Sequence, residues 1–471
     1  MILTPRPKLR RYFRCRTYLL ASLAWAAVFL PQLFGGGYGY GSDSGLYAGV
    51  SDLIYSRGDW LTLMAGDRPY FNKPPLAFWI HGLFLHLLGP HLWAMRLPNF
   101  LASLGCILLT VHIARRLAGS RVALFAGLIL ATSYDFLRYP NRFILDYWHT
   151  FFVLIAVALC IESVRRSRHA LLIWAGVPVG LACLVKPFMA LLTLPLIAVW
   201  LLTLHRLNRR SALCLGTALL IAAIIAAPWH LAMIAIHGST FIDNYFGREI
   251  IHRSASEERP VWWYFQNWAT NYWPWLLLVV LGLLNWLRAD RFRRDIRPAA
   301  FALVWTGCWI ALALAFGDKR DRYLMQILPT FALIAAVWWS RWSPAFLRTG
   351  NPLRLDLLIA FCLLASIAVT LSPIHINLPP KTGWTPMIQF IRQHPRESYY
   401  LHPAIHFREG GSIYMQTGIW PHNASSIANQ PVIPPANAAI ICDSSRSTLP
   451  PGPVLFSDHQ FTIVRNTPRE P

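Results

Sequence analysis

The chain has 471 residues, 55% of them hydrophobic and only 14% charged, with a net charge of +22 and a mean hydropathy of +0.40. Apolar runs that recur at the length of a hydrocarbon core exclude a soluble globular protein and define a polytopic membrane protein. Most arginines sit in short clusters between those runs, so the charge reads as positive-inside topology and not as a nucleic-acid surface.

At the N-terminus RPKLRRYFRCR precedes YLLASLAWAAVFLPQLF. No convincing small-residue cleavage site follows, so an uncleaved first span is expected, with residues 1–16 in the cytoplasm. Residues 35–75 form a first outer loop carrying Asp43, Asp52, Asp59 and Asp67. Segment 76–89 is short for a crossing and is read as re-entrant, or as part of a pair of short crossings.

Further runs lie near 97–116, 122–138, 145–163, 170–185, 187–204, 212–234, 272–287, 300–316, 323–339 and 355–373. Arginine clusters at 115–121, 165–168, 206–210, 288–294 and 341–354 separate them in outward-and-return pairs. The expectation is about eleven to thirteen transmembrane helices, the N-terminus inside and the C-terminus outside. The eight cysteines are scattered mostly through apolar runs and form no CxxC pair, so neither a disulfide framework nor a zinc cluster is expected.

From residue 374 the character changes. TPMIQFIRQH reads as a short helix, and SYYLHPAIHF, AAIICDSS and PVLFSDHQFTIVRN read as strands. The expected organisation is a membrane domain over 1–373 and a small C-terminal α/β extracytoplasmic domain over 374–471. Asn423-Ala424-Ser425 matches a glycosylation sequon, a triplet common by chance.

Only five lysines occur, and this topology puts Lys73, Lys186 and Lys319 at the outer ends of spans, against the bias that arginine follows. Snorkelling to headgroups explains a single lysine; three such ammonium groups also suit a lipid phosphate. Asp146 stands at the outer start of a span, where an ionisable side chain is costly, which makes it a functional candidate. It either orients an acceptor or pairs with Arg142 at i, i+4. Asp52, Asp59 and Asp67 read as solvated or capping residues, and Asp43 is ambiguous because Ser42 or Asp43 suits a helix cap. In GDKRDRY (317–323) Lys319, Arg320 and Arg322 either meet an anion or pair internally with Asp318 and Asp321.

In order along the chain come an acid after the first span, Tyr47, GDW (58–60), YFNKPPL (70–76), RLPN (96–99), LD (145–146), LVKPF (184–188) and HRSASEERPVWWYF (252–265). That order resembles the GT-C membrane glycosyltransferases, in the branch holding the bacterial aminoarabinose-to-lipid-A transferases and relatives of the protein O-mannosyltransferases. The resemblance covers roughly residues 15–340. It implies a GT-C-like fold in a bacterial inner membrane, with the active site and tail on the periplasmic side. It also implies a polyprenyl-phosphate sugar donor, an envelope lipid, glycan or protein as acceptor, and inversion at the anomeric carbon. The family's catalytic acid falls on Asp43, its loop lysine on Lys73, its second acid on Asp146, a further lysine on Lys186 and its loop histidine on His252.

Two departures stand out. Where family members often read Asp-Glu-Ala-Arg-Tyr, this chain has Asp43-Ser44-Gly45-Leu46-Tyr47, and Asn72 replaces a glutamate that helps hold a metal ion in some relatives. An amide is a poor zinc ligand, so no metal or other cofactor is expected to be required. Asp43 and Asp146 are thus the candidate catalytic residues. Lys73, Lys186, Arg142 and Arg253 are candidates for the donor phosphate, and Tyr47, Asn72, His252 and Tyr264 for the sugar or acceptor. The expected partners are the lipid-linked donor and an envelope acceptor, without nucleic acid, for a chain monomeric in its membrane. Rival readings are a transporter or flippase of lipid-linked saccharide, disfavoured by the lack of internal repeats, and a lipid-linked glycan ligase or polymerase. The aromatic stretch 260–275 reads as an interfacial belt, with stacking on a sugar or polyprenyl chain as the functional alternative.

Overall fold

The computed structural model describes residues 7–34, 43–252, 259–315 with short gaps, 319–342, 384–423 without 406–407, and 434–467 without 445, 446 and 448. The expected span 355–373, Arg253 and Asp318 lie outside the described residues, as do the side chains of His252 and Asn423.

A long helix α1 (Pro7–Phe34) is followed by α2 (Asp43–Arg57), a two-strand turn β1 (Met64–Ala65) and β2 (Arg68–Pro69), and α3 (Leu76–Leu88). Helices α4 (Leu92–Ala118), α5 (Ser120–Thr132), α6 (Tyr134–Leu137), α7 (Asp146–Arg166), α8 (Ala170–Trp174), α9 (Gly176–Cys183), α10 (Pro187–Leu191), α11 (Thr193–Thr203) and α12 (Arg209–Ile242) continue the bundle. After a π-helical segment Asp243–His252 come α13 (Trp263–Asn271), α14 (Trp275–Trp286), α15 (Ile296–Ala315), a 3₁₀ segment Asp321–Ile327 and α16 (Leu328–Trp342).

Six of the described helical stretches are long and apolar enough to cross a membrane, and shorter apolar helices fill the expected positions between them. The protein is a multi-pass membrane protein. Helix α3 has 13 residues, about 20 Å at 1.5 Å per residue, too short alone for a core of about 30 Å. It starts at Leu76 because Pro74 and Pro75 have no N–H to give, and Pro75 is its N-cap. Helix α12 starts where Asn208 and Ser211 form a reciprocal capping box, and it breaks at Gly238, whose φ of +53° a glycine tolerates.

The C-terminal part carries α17 (Trp384–Gln393), β3 (Tyr399–Leu401), α18 (Arg408–Thr417), β4 (His422–Asn423), β5 (Ala439–Asp443), β6 (Val454–Ser457) and β7 (Phe461–Arg465). The sheet order is β4-β3-β5-β7-β6. β3 runs parallel to both neighbours, and β7 runs antiparallel to β5 and β6. Trp384, Met387, Ile391, Leu401, Ile441 and Ile463 form a core separate from that of the bundle. Helix α18 was not expected, since its paired Gly410 and Gly411 are poor helix formers. It packs on α2 and ties the two parts together.

Candidate functional site

RLPN supplies the floor of the site from inside α4. Arg96, almost fully buried, donates from Nε to the Asn141 carbonyl at 2.8 Å and from Nη1 to Leu33 O at 3.2 Å. Asn99 Nδ2 donates to the carbonyls of Arg142 (2.7 Å) and Ile144 (3.1 Å), while the His81 ring stacks on Phe143 at 3.5 Å. The irregular backbone ahead of α7 therefore has its carbonyls satisfied by side chains, which is how a non-helical segment survives at a membrane boundary. Ser44 Oγ accepts from the Phe143 N–H at 3.1 Å, and Tyr47 packs on Tyr70, Phe78 and Phe143. The start of α2 is thereby fixed beside the start of α7.

The two outer lysine motifs are joined by backbone: Leu76 N donates to Leu184 O at 3.0 Å. This seats YFNKPPL against LVKPF and places Lys73 where its charge acts on Lys186. Trp229 Nε1 donates to Leu61 O at 3.0 Å, and Thr62 pairs with His237 at 2.9 Å, so α12 buttresses the same loop.

Charge converges on this frame. Asp146, 2% exposed at the first turn of α7, forms an ion pair with Lys186, whose ammonium lies 4.9 Å from the Tyr323 ring centroid. Arg322 Nε lies 4.0 Å from Asp146 Oδ2, and its Nη2 donates to Asp43 Oδ2 at 2.9 Å. The other oxygen of Asp43 takes Arg408 Nη1 at 2.8 Å. Behind them Arg138 bridges Asp135 at 3.0 Å and Asp321, and Asp321 Oδ1 accepts from the Arg322 N–H at 2.7 Å, which fixes the turn that projects Arg322. Burial raises the Asp43 pKa, but Arg322 and Arg408, with Arg320 further off, outweigh it and hold the carboxyl below its usual value. Burial lowers the Lys186 ammonium to about 8, with Asp146 opposing the shift and Arg322 and Lys73 adding to it.

Of the residues singled out from sequence, the fold brings Asp43, Asp146, Lys186, Lys73 and Tyr47 together. Tyr47 lies within electrostatic reach of Arg322, and Asn72 is half-buried beside Lys73. Arg142 is different: it lies in the turn before α7, not one helical turn from Asp146 within a helix, so the i, i+4 pairing does not form and Asp146 turns to Lys186. Nor does Arg322 pair internally with Asp321, whose side chain is held by Arg138. Tyr264 is buried in α13 against Trp263 and Trp268. In that aromatic stretch Trp262, Phe265 and Trp273 are exposed while Tyr264, Trp268 and Tyr272 pack inward, so one face is belt and the other is core. Asp59 accepts from the Leu61 and Thr62 N–H groups, Asp67 pairs with Arg57, and Asp52 accepts from Tyr414; these acids are structural. The participants missed from sequence are Arg138 and Arg408. Neither belongs to a motif, and Arg408 reaches the site across 365 residues of chain. Among the described residues no three His, Cys, Asp or Glu side chains gather as a metal site.

The family model for dolichyl-phosphate-mannose-protein mannosyltransferases matches residues 72–231. The undecaprenyl phosphate-alpha-4-amino-4-deoxy-L-arabinose arabinosyl transferase of Pectobacterium carotovorum is 29% identical over 355 residues, covering 72% of this chain and 62% of that protein. Its counterpart in Pseudomonas paraeruginosa is 30% identical over 369 residues, covering 75% and 66%. The chain spans between 55% and 63% of the length of three such relatives. Among solved structures, ArnT from Cupriavidus metallidurans bound to undecaprenyl phosphate superposes with a TM-score of 0.73 at 18% identity, covering 98% of this chain and 99% of that one. The chain has the GT-C membrane fold, with a small C-terminal sheet unit. Within that class its sequence is similar to the aminoarabinose transferases.

Proposed function

We propose that the chain is an inverting glycosyltransferase that moves a sugar from a polyprenyl-phosphate carrier to an acceptor at the periplasmic face of a bacterial inner membrane. The observation that carries this reading is a cluster of cations held on two acids. Among the described residues Lys186 and Arg322 meet Asp146, Arg322 and Arg408 meet Asp43, and Lys73 and Arg320 lie within electrostatic reach. Preorganised cations of this kind suit the phosphate headgroup of a lipid carrier. The relatives named for undecaprenyl-phosphate-linked aminoarabinose support that donor class.

The acceptor hydroxyl attacks the anomeric carbon, the bond from that carbon to the phosphate oxygen breaks, and the hydroxyl proton passes to Asp43. Held by two arginines, Asp43 is ionised at neutral pH. It is basic enough for a hydroxyl already bonding to an electron-poor anomeric carbon in an oxocarbenium-like transition state. The charge left on the phosphate is taken up by Lys186, Lys73 and Arg322, preorganised cations where negative charge develops. Asp146 holds Lys186 and Arg322 in place, a positioning role in addition to the acceptor contact expected from sequence. Asn72 and Tyr47 serve the sugar or acceptor side; the assignments of His252 to that side and of Arg253 to the phosphate rest on the sequence motif alone. No metal takes part in this scheme, in keeping with the amide at Asn72. The chain acts as a monomer, with its N-terminus cytoplasmic and residues 374–471 outside.

The test is transfer by the purified full chain in lipid nanodiscs from a synthetic undecaprenyl-phosphate-linked aminoarabinose to lipid A, followed by mass spectrometry. Wild type is expected to release undecaprenyl phosphate and glycosylated acceptor, and Asp43→Asn neither. Full turnover in Asp43→Asn would remove Asp43 as the base.

A further inference from the structure

We infer that the C-terminal unit is a working part of this site, with Arg408 as a positioning residue that holds the Asp43 carboxylate in its reactive orientation. The inference rests on the proposed role of Asp43 and goes beyond it by assigning a task to a part of the chain that carries none of the recognised motifs.

Three observations carry it. Asp43 is only 10% exposed, and its two oxygens are taken separately, Oδ2 by Arg322 from the bundle and Oδ1 by Arg408 from α18. One guanidinium leaves a carboxylate free to rotate about its Cβ–Cγ bond; two on opposite oxygens fix its plane. Second, Arg408 reaches that oxygen only because α18 lies unusually close to α2. A Cβ on Gly411 would stand 2.5 Å from both the Gly45 carbonyl oxygen and the Leu46 Cα, one on Gly45 would overlap the Ser412 side chain, and one on Gly49 would stand 2.5 Å from the Trp420 ring. Third, the crossing is pinned further along by Tyr414 donating to Asp52 at 2.7 Å, so Arg408 sits at the end of a fixed lever and not on a loose loop. A cap over the membrane unit needs neither the glycine contact nor an arginine aimed at the one acid of the outer loop that is not otherwise structural.

The charged groups facing Asp43 are Arg320, the N-cap of the 3₁₀ segment, Arg322 within it and Arg408 from α18, with Asp146 of α7 and Lys186 acting across Arg322. Arg408 is one of those that keep the Asp43 carboxyl ionised at low pH, so its removal raises the acid limb of the kcat/KM profile. An opposite charge at this distance is worth about one to three pH units on a carboxyl; with Arg322 still present the expected rise for Arg408→Gln is about one unit. Arg408→Lys keeps the limb near that of wild type, and Tyr414→Phe, which removes one pin of the crossing but leaves Arg408 and the glycine contact in place, moves it less than Arg408→Gln does. Should Arg408→Gln turn over too slowly for a profile, Gly45→Ala, which displaces α18 with its arginine intact, is expected to give the same upward movement. A wild-type acid limb in Arg408→Gln or in that Gly45→Ala profile overturns the inference, as does an equal shift in Tyr414→Phe. An active Asp43→Asn sinks the base assignment itself, whereas an inactive Asp43→Asn beside a wild-type limb in Arg408→Gln sinks only the role of Arg408.

Discussion

The two ends of α7 pose the same electrostatic problem and solve it differently. At its C-terminal end Glu162 meets Arg116, Arg166 and His112, all from α4 or from α7 itself, with Arg116 17% and Arg166 54% exposed. At its N-terminal end Asp146 meets Lys186, 11% exposed, and Arg322, 21% exposed, and through Arg322 it reaches Asp43 and Arg408. The first cluster staples neighbouring helices. The second draws side chains from five distant segments, α2, α7, the turn before α10, the 3₁₀ segment and α18, onto two acids joined through Arg322.

Substitutions at the two ends should therefore diverge. Asp43→Asn is expected to lower transfer at least about a thousandfold while the protein still purifies as a monodisperse species, checked by single-turnover assay and size-exclusion chromatography. Lys186→Ala is expected to lower turnover by about a hundred- to a thousandfold, the usual cost of losing one preorganised charge contact. Because the Lys186 ammonium is lowered to about 8, it is charged below that pH and neutral above it. Hence kcat/KM should fall about tenfold per unit as pH rises past about 8, and Lys186→Arg should move that limb upward, as read from a pH profile of the free enzyme. At the other end Glu162→Gln should change turnover less than about threefold. It should lower stability by about 1–3 kcal/mol, between the values for an exposed and a buried pair, as measured by denaturant titration in detergent.

Much of this is legible in the sequence. Segment lengths and arginine clusters located the helices, since hydropathy and the positive-inside bias are properties of local sequence. Scarce lysines on the unexpected side marked Lys73 and Lys186, and a costly carboxylate at a span boundary marked Asp146. The pairings were not legible. Arg142 had the right spacing for Asp146 but lies in a turn, because Arg96 and Asn99 hold that backbone out of the helix. Arg322 was ambiguous between Asp321 and the site, and the bridge from Arg138 decided it. Arg408 left no trace in the sequence: the Gly-Gly pair that lets α18 approach α2 argues locally against a helix, and only tertiary packing overrides that preference. Asp43 draws its cations from two distant places, Arg322 and, at the far end of the chain, Arg408.

We propose that the cations at the N-terminal end of α7 bind a lipid phosphate, and the rise in melting temperature on adding undecaprenyl phosphate to wild type, Lys186→Ala and Glu162→Gln in the same nanodiscs tests it. A ligand that binds only the folded state stabilises it by about 2.7 kcal/mol at a hundred times its Kd. A clear rise is expected for wild type, an equal rise for Glu162→Gln from a lower starting point, and little or none for Lys186→Ala. The same rise in Lys186→Ala as in wild type would contradict it.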